Sequence, residues 1–426
     1  MNISNYLRLS IITIFAACAC GAWSQVTTSP YSMYGYGLLR EGATSTQRQM
    51  GGIGYGMTGG RQINAMNPAS YAAIDSLTFL WDIGADLSLN WRSELAADGK
   101  ENKGHGVGGG LDYLAMQFPL SKHFGASIGL VPYSSVGYSF GDQVVHGSLS
   151  NQGSGGITQA YAGFAGRLKG FSLGFNISYD FGNVINDVYA YTADAHQTLF
   201  EHVMQIRDWD ITIGAQYTLP TDKYSKLTLG AVYTPKKSLH GKTWAAFWDI
   251  TAESKADTVG YSKIGGKYYR PNSVGVGINW QRTRSSHLMV EADFSWQQWS
   301  KAAYPALYTE TGSVAVDAQQ FNDRLRFALG GEFTPRLRGN YLKRITYRLG
   351  AHYTRDYFKI GDNDVREYGI SCGFGLPTIE GKTIVNLGFE WYRRQASPTA
   401  LIKENYFNIT LGLNFNELWF WQRKLK

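Results

Sequence analysis

In LTFLWDIGADLSLNW, residues 77–91, the bulky side chains keep to one parity. Phe79, Trp81, Ile83, Ala85, Leu87, Leu89 and Trp91 share it, while Thr78, Asp82, Gly84, Asp86, Ser88 and Asn90 hold the other. Successive side chains of an extended chain point to opposite faces, so this stretch is a ribbon with one oily and one wet side. FSLGFNISYDFG repeats it, with Phe171, Leu173, Phe175, Ile177, Tyr179 and Phe181 opposed by small or polar residues. The pattern returns over Trp209–Leu219, Leu227–Tyr233, Val274–Trp280, Leu288–Trp296, Leu325–Phe333, Tyr347–Tyr353, Ile370–Leu376 and Phe407–Phe415. Weaker or interrupted copies fall near 110–120, 124–141, 157–168 and 384–393, which brings the total to fourteen. Links as short as 121–123 and 167–170 require antiparallel neighbours, and the longer segments exceed the roughly 5 to 6 residues usual in soluble strands. The fold class this predicts is all-β, a 14-stranded antiparallel transmembrane β-barrel over residues 77–416, with lipid outside and water or a plug inside. A large soluble β-sandwich or propeller is the alternative, but it needs a second sheet over each oily face, and no blade-length repeat is visible.

Bulk composition agrees with such a wall. Of the 426 residues 44% are hydrophobic and 50 are glycine, yet mean hydropathy is only −0.25, because barrel strands give every second residue to lipid. These values argue against a helical membrane bundle, not against a membrane protein. The net charge of +7 comes without a dense Lys/Arg stripe, so nucleic acid is not an expected partner. Arg8 precedes LSIITIFAACACGAW, an apolar stretch of signal-peptide length, and Ala22-Trp23-Ser24 offers a small-x-small cleavage site. Residues 1–24 are therefore read as a signal peptide, with a lipoprotein cut before Cys18 or Cys20 as the alternative, and the address is the cell outer membrane. Cys372 then remains alone and cannot form an intramolecular disulfide.

Residues 25–76 lack the alternation and are rich in Gly, Ser and Thr. Tyr31, Tyr34, Tyr36, Leu38, Leu39, Ile53, Tyr55 and Ile63 nevertheless make the segment too apolar for a disordered tail. A plug folded inside the barrel reconciles both facts. Asn67-Pro68-Ala69 is the tripeptide of water channels, but that class needs two copies among apolar spans of roughly 20 residues, and this chain has one copy and no such span. Pro68 disfavours helix at Asn67, whose side chain can satisfy nearby backbone, so the motif reads as a turn that introduces the first strand.

Several features together resemble the FadL/TodX family of outer-membrane transport proteins for hydrophobic compounds. They are the signal peptide, Met50-Gly51-Gly52, Asn67-Pro68-Ala69 before the first strand, EADFSWQQWS at 291–300, CGFGLP at 372–377 and the strand count. The resemblance implies an N-terminal hatch gated through Asn67, Pro68 and Ala69. It also implies a side opening at a kink in the third strand, assigned here to Gly129, Pro132 and Gly137. From the residues alone, a turn that only launches a strand and a bulge at the barrel rim stand as alternatives.

Parity places Asp82, Asp86, Arg92, Glu291, Asp293, Arg324, Arg326, Glu332, Arg348 and His352 inward, since a basic residue facing lipid near the midplane costs about 2 to 4 kcal/mol. Arg324, Arg326 and Arg348 are candidate head-group ligands, with a salt-bridged network propping the wall as the alternative. An apolar pocket would have to come from Tyr34, Tyr36, Leu38 and Leu39 of the hatch. Gly170–Gly174 matches G-x-S-x-G, but Ser172 sits in an alternating strand rather than a strand-to-helix turn. Gly54–Gly59 matches G-x-G-x-x-G without a preceding strand or following helix, and the eight His are scattered. No enzyme activity, cofactor or metal is expected.

The function this suggests is a channel for hydrophobic or amphipathic, fatty-acid-like molecules. Its implied partners are outer-membrane lipid and lipopolysaccharide, a small-molecule ligand, and the barrel-insertion machinery that reads a terminal aromatic alternation like NYFNITLGLNF. Residues 417–426 form a short basic-aromatic periplasmic tail in this reading, with Trp419, Phe420 and Trp421 at the inner interface. That tail motivates the alternative, a non-enzymatic barrel subunit of a larger outer-membrane export or assembly complex.

Overall fold

A computed structural model of the chain describes residues 29–95, 100–144, 147–192, 197–250, 256–263, 268–302, 307–308, 315–316, 321–378, 383–399 and 401–418. The signal segment, Cys18, Cys20 and the tail beyond Leu418 lie outside the described residues. Fourteen strands form the wall: β1 (Thr78–Leu95), β2 (Glu101–Pro119), β3 (Phe124–Val144), β4 (Gly147–Leu168), β5 (Phe171–Thr192), β6 (Gln197–Pro220), β7 (Ser225–Thr234), β8 (Ser273–Thr283), β9 (His287–Gln297), β10 (Arg324–Thr334), β11 (Thr346–Ile360), β12 (Asn363–Pro377), β13 (Thr383–Ser397) and β14 (Ile402–Leu418). Each pairs antiparallel with the next. β14 returns to β1 from Thr78↔Leu418 to Glu94↔Ile402, which closes the cylinder. The alternating segments of the sequence fall on these strands.

Parity works as physics requires. Phe171, Leu173, Phe175, Ile177 and Phe181 of β5 are exposed on the outer face, while Ser172, Asn176, Ser178 and Asp180 are buried on the inner one. Two segments are interrupted for a local reason. In β2, Gly84 pairs with Tyr113 and Ala85 with Leu111, so Asp112 is an extra residue and the outward parity changes there. In β3 the register to β4 passes from Pro132↔Thr158 to Ser134↔Ile157, leaving Tyr133 bulged beside the proline that lacks an N–H. The inward set accordingly shifts from Ser127 and Val131 to Ser134, Val136 and Tyr138.

One end of the cylinder has the short turns at 120–123, 169–170, 221–224 and 284–286, and the other carries the long connections. By the usual rule the short-turn end is periplasmic. At the opposite end the wall is lopsided. β5 continues past Phe181 to Thr192, and β6 arrives from Gln197, well beyond the outer-interface residue Trp209. A strand at 241–250 pairs with Gln197–Ile206 and carries a further strand at 256–263, so a sheet rises above the membrane on one side.

The segment before β1 lies in the lumen and winds round the inner wall. It contains 3₁₀ turns at Pro30–Met33 and Pro68–Ala73, a two-residue strand Leu38–Leu39 paired with Ser135 and Ser134 of β3, and a short helix Ser45–Arg48. Thr44 and Gln47 cap that helix reciprocally. From there its residues touch the wall glycines in descending strand order. Ser45 meets Gly412 of β14, and Gln49 meets Gly388 of β13 and Gly373 of β12. Met50 meets Gly350 of β11 and Gly330 of β10, Tyr55 meets Gly275 of β8 and Gly230 of β7, Pro68 meets Gly214 of β6 and Gly174 of β5, and Tyr71 meets Gly163 of β4 and Gly125 of β3. The wall omits its Cβ atoms where the hatch backbone or side chains press against it.

Candidate functional site

The hatch and the inner wall are held together by polar groups that alternation turned inward. Asp293 accepts from the amides of Gly54 (2.7 Å) and Tyr55 (3.0 Å), and Glu291 accepts from Gly56 N (2.8 Å). Gly51 and Gly52 take φ of +72° and +73°, a left-handed conformation that favours glycine, and present their carbonyls to Arg326. Arg324 pairs with Glu41 at 2.6 Å, and the Arg326 Nε lies 3.4 Å from the same carboxylate. Arg348 donates to Gln49 Oε1 (2.9 Å), Asn386 Oδ1 (2.8 Å) and Glu332 Oε2 (3.0 Å). The structure thus brings Arg324 and Arg326 together on one hatch residue and engages Arg348 with a different set.

Arg92 differs from its neighbours in the parity reading. It is half-buried at the outer rim, where it reaches the His105 carbonyl. Asp82, Asp86, Glu332 and His352 are buried in the lumen. Asp82 accepts from Tyr113 Oη at 2.7 Å, and Tyr113 Oη in turn accepts from Ser45 N at 2.8 Å.

Asn67, Pro68 and Ala69 are buried against β5 and β6. Asn67 Oδ1 accepts from Ala69 N (3.1 Å) and its Nδ2 donates to Tyr55 O (2.6 Å), so Asn67 caps the 3₁₀ turn Pro68–Ala73. The motif introduces that turn first, and the strand begins only at Thr78.

Tyr36 and Leu38 are buried in an aromatic cluster, against which Tyr34 and Leu39 pack from its edge. Tyr36 lies 5.3 Å from Trp299 between ring centroids, Trp299 lies 4.4 Å from Tyr357, and Tyr34 stacks on Phe358 at 5.8 Å. Tyr357 Oη accepts from Tyr36 N and donates to Gly37 O at 2.7 Å. The space left beside Tyr36, Ile157, Ile206 and Trp299 is ≈10 Å³, about the least that holds one water. A larger cavity of ≈110 Å³ is charged, lined by Arg40, Glu41, Arg324, Arg326, Glu367 and Arg394 among others. Pockets for drug-sized ligands run to about 300–1,000 Å³ and are mostly apolar.

Parity reasoning missed the hatch's own ions. Arg40, Glu41 and Arg48 are the charged residues between 29 and 60, a signal that each needs a wall partner. Arg40 and Arg48 both reach Asp112, the bulged residue of β2, at 2.9 and 2.8 Å. Of the enzyme-like motifs, Ser172 is buried in extended β5, and the Gly54–Gly59 stretch is tied to Asp293 and Glu291. Among the described residues no group of three His, Cys, Asp or Glu could hold a metal.

At the third strand, Gly129 pairs on both sides, with Tyr161 of β4 and Ala115 of β2. Pairing of β3 with β2 runs from Pro119↔Gly125 to Leu114↔Leu130 and stops, while pairing with β4 continues to Val144. Beyond Leu130 the hatch takes β2's place, with Leu38–Leu39 beside Ser134–Ser135 and Ser29 N donating to Gly137 O at 2.8 Å. Pro132 therefore sits where β2 and β3 separate, and Gly137 bonds the hatch.

A closed 14-stranded wall, an oily exterior and an N-terminal segment in the lumen define a plugged transmembrane β-barrel, with the fold of the FadL and TodX transport proteins. The P. putida toluene transporter TodX is similar in structure, with a TM-score of 0.62 over 90% of this chain and 100% of that one at 16% identity. A Pseudomonas aeruginosa FadL homologue gives 0.57 over 88% and 98% at 11% identity, and the CymD monoaromatic hydrocarbon channel gives 0.56 over 88% and 97% at 13% identity. At such identities the likeness is one of fold. No curated protein matches the sequence. The model of the BamG family matches residues 6–426, and the chain belongs to that family.

Proposed function

We propose that this chain is a non-enzymatic outer-membrane barrel, closed by its own N-terminal segment, that serves as a subunit of a larger outer-membrane export or assembly complex. The observation that carries this reading is the filling of the lumen. The apolar volume a hydrophobic cargo would use is occupied by Tyr36, Trp299, Phe321, Tyr357 and Phe358. The remaining cavity is small and ionic. A hatch wound against wall glycines has no room to slide without breaking the Asp293, Arg326 and Arg348 contacts together.

Transport of a hydrophobic molecule is the second reading, and one observation favours it. The separation of β2 from β3 above Leu114 and Leu130 is a side gap where the resemblance places a lateral exit, with Pro132 at its corner. In that reading Asn67, Pro68 and Ala69 move and Arg324 and Arg326 receive a head group. Native mass spectrometry of protein extracted gently from its own outer membrane separates the two. The first reading expects stoichiometric protein partners and an empty lumen; a discrete bound lipid or hydrophobic compound without protein partners would replace it with the second.

A further inference from the structure

The side gap leaves a strand edge without a ladder partner inside the apolar belt, among the described residues. β2 runs from Glu101, yet from Gly106 to Leu111 its ladder partners among the described residues are on β1 alone. These residues lie level with β1 between Trp91 and Trp81, two exposed tryptophans, since His105 pairs with Trp91 and Met116 with Trp81. Lipid chains cannot hydrogen-bond, and each unsatisfied backbone group in the hydrocarbon costs several kcal/mol. On the far rim of the gap the same problem is met by the hatch, whose Leu38–Leu39 completes β3. Among the described residues no backbone hydrogen bond completes the edge of β2 in this way.

We propose that this edge is a docking site for one extended strand of a partner outer-membrane protein, added to β2 by backbone pairing; the inference rests on the complex-subunit reading above. The chemistry of the edge favours a strand over a small hydrophobic molecule. Gly106 and Gly110 are part-exposed while Gly108 and Gly109 are buried against the neighbouring strand, so the edge offers backbone at its two glycine ends and almost no side chain to grip an apolar ligand, and glycine lets another backbone approach closely there. Val107 and Leu111 are the side chains facing out, 56% and 61% exposed. They call for a partner strand whose lipid-facing side chains alternate in the same way. Beyond the glycines the bulged Asp112 is held inward by Arg40 and Arg48, which leaves the bulge point fixed and ends the docking edge there.

The test is site-specific photocrosslinking in the native outer membrane from Val107 and from Leu111. Leu349, 68% exposed on β11, serves as the lipid-facing control. The expected result is that both edge probes, and not Leu349, attach to a single short segment of the same partner, at points about four residues apart, as ladder register requires. Lipid adducts alone at all three sites overturn the proposal. So do adducts to a second copy of this chain, which would mean edge-to-edge pairing of two barrels. A stoichiometric partner that crosslinks only through other surfaces overturns it while leaving the complex-subunit reading standing, and the absence of any protein partner overturns both.

Discussion

The α-carbon of Gly350 in β11 faces the backbone of Met50 so closely that a methyl group on it would overlap the Met50 carbonyl carbon and the Gly51 nitrogen. Gly330, its direct partner in β10, faces Met50 in the same way. Gly350→Ala is therefore expected to push the hatch off the wall, at about 1–3 kcal/mol for an overpacked contact. Thermal unfolding in detergent should show a lower midpoint for this variant, and for Gly330→Ala. The control Gly361→Ala, at a turn with nothing within 4 Å but a φ of +59°, should lose only the smaller backbone cost. An unchanged midpoint for Gly350→Ala would mean that the hatch is loose there.

Glu41 holds Arg324 and Arg326 at once. Removing one partner of a buried ion pair typically costs about 3–5 kcal/mol, because the other charge stays behind. Glu41→Gln should accordingly destabilise the hatch strongly, and Glu41→Gln combined with Arg324→Met should recover part of the loss. Chemical denaturation of the single and double variants measures this, and a double variant no more stable than the single one would contradict it.

Asn67→Ala removes both the cap on Pro68–Ala73 and the bond to Tyr55 O. The expected loss is about 1–2 kcal/mol. In planar bilayers the variant should remain as non-conducting as the parent if the hatch is a fixture. Step-like conductance appearing on this substitution alone would restore Asn67 to the role of a gate.

The sheet above the membrane carries two titrations of opposite sign. Burial, followed by Glu201 directly across the ladder, pushes the Asp187 carboxyl up to about 6. Burial pushes His202 down to about 4. With unfolded values near 3.9 and 6.5, the Asp187 contribution is fully present at low pH and is lost as pH rises through about 6. The His202 contribution is present above about 6.5 and is lost as pH falls toward about 4. Asp187→Asn should leave a sheet that weakens steadily on acidification, and His202→Gln one that strengthens over the same interval. Exchange-rate-corrected hydrogen exchange over 183–206 reads both, and superimposable pH profiles for the two variants would refute the assignment.

Much of the wall was legible because lipid enforces contrast. Between Phe171 and Phe181 every second residue meets hydrocarbon, and the sequence records it. Above the membrane that pressure ends. Val184, Ile185, Val203 and Met204 are apolar on both faces, since the rising sheet packs on its inner side and is sheltered on its outer one, so the extension of β5 and β6 left no alternation to read. Near 110–120 and 124–141 the pattern was present but broken, and Asp112 and Tyr133 are the extra residues that broke it. The inward charges were visible by parity. Their partners were not, because Glu41 meets Arg324 only after the chain has passed most of the way round the cylinder. Wall glycines such as Gly350 read as small residues on the wet face, and nothing local showed that they make room for a neighbour.

The winding of the hatch bears on how such a molecule stays shut. Ser45 lies against Gly412 of β14 and its amide donates to Tyr113 Oη of β2, so it sits where the first and last strands meet. From that seam the segment travels past every later contact back to the start of β1. Tyr113 lies on one flank of β1 and Gly412 on the other, so a single hatch residue touches both neighbours of the strand at which the cylinder closes. The N-terminal segment is thus a clasp across the seam as well as a stopper, and loosening Ser45 loosens the closure itself.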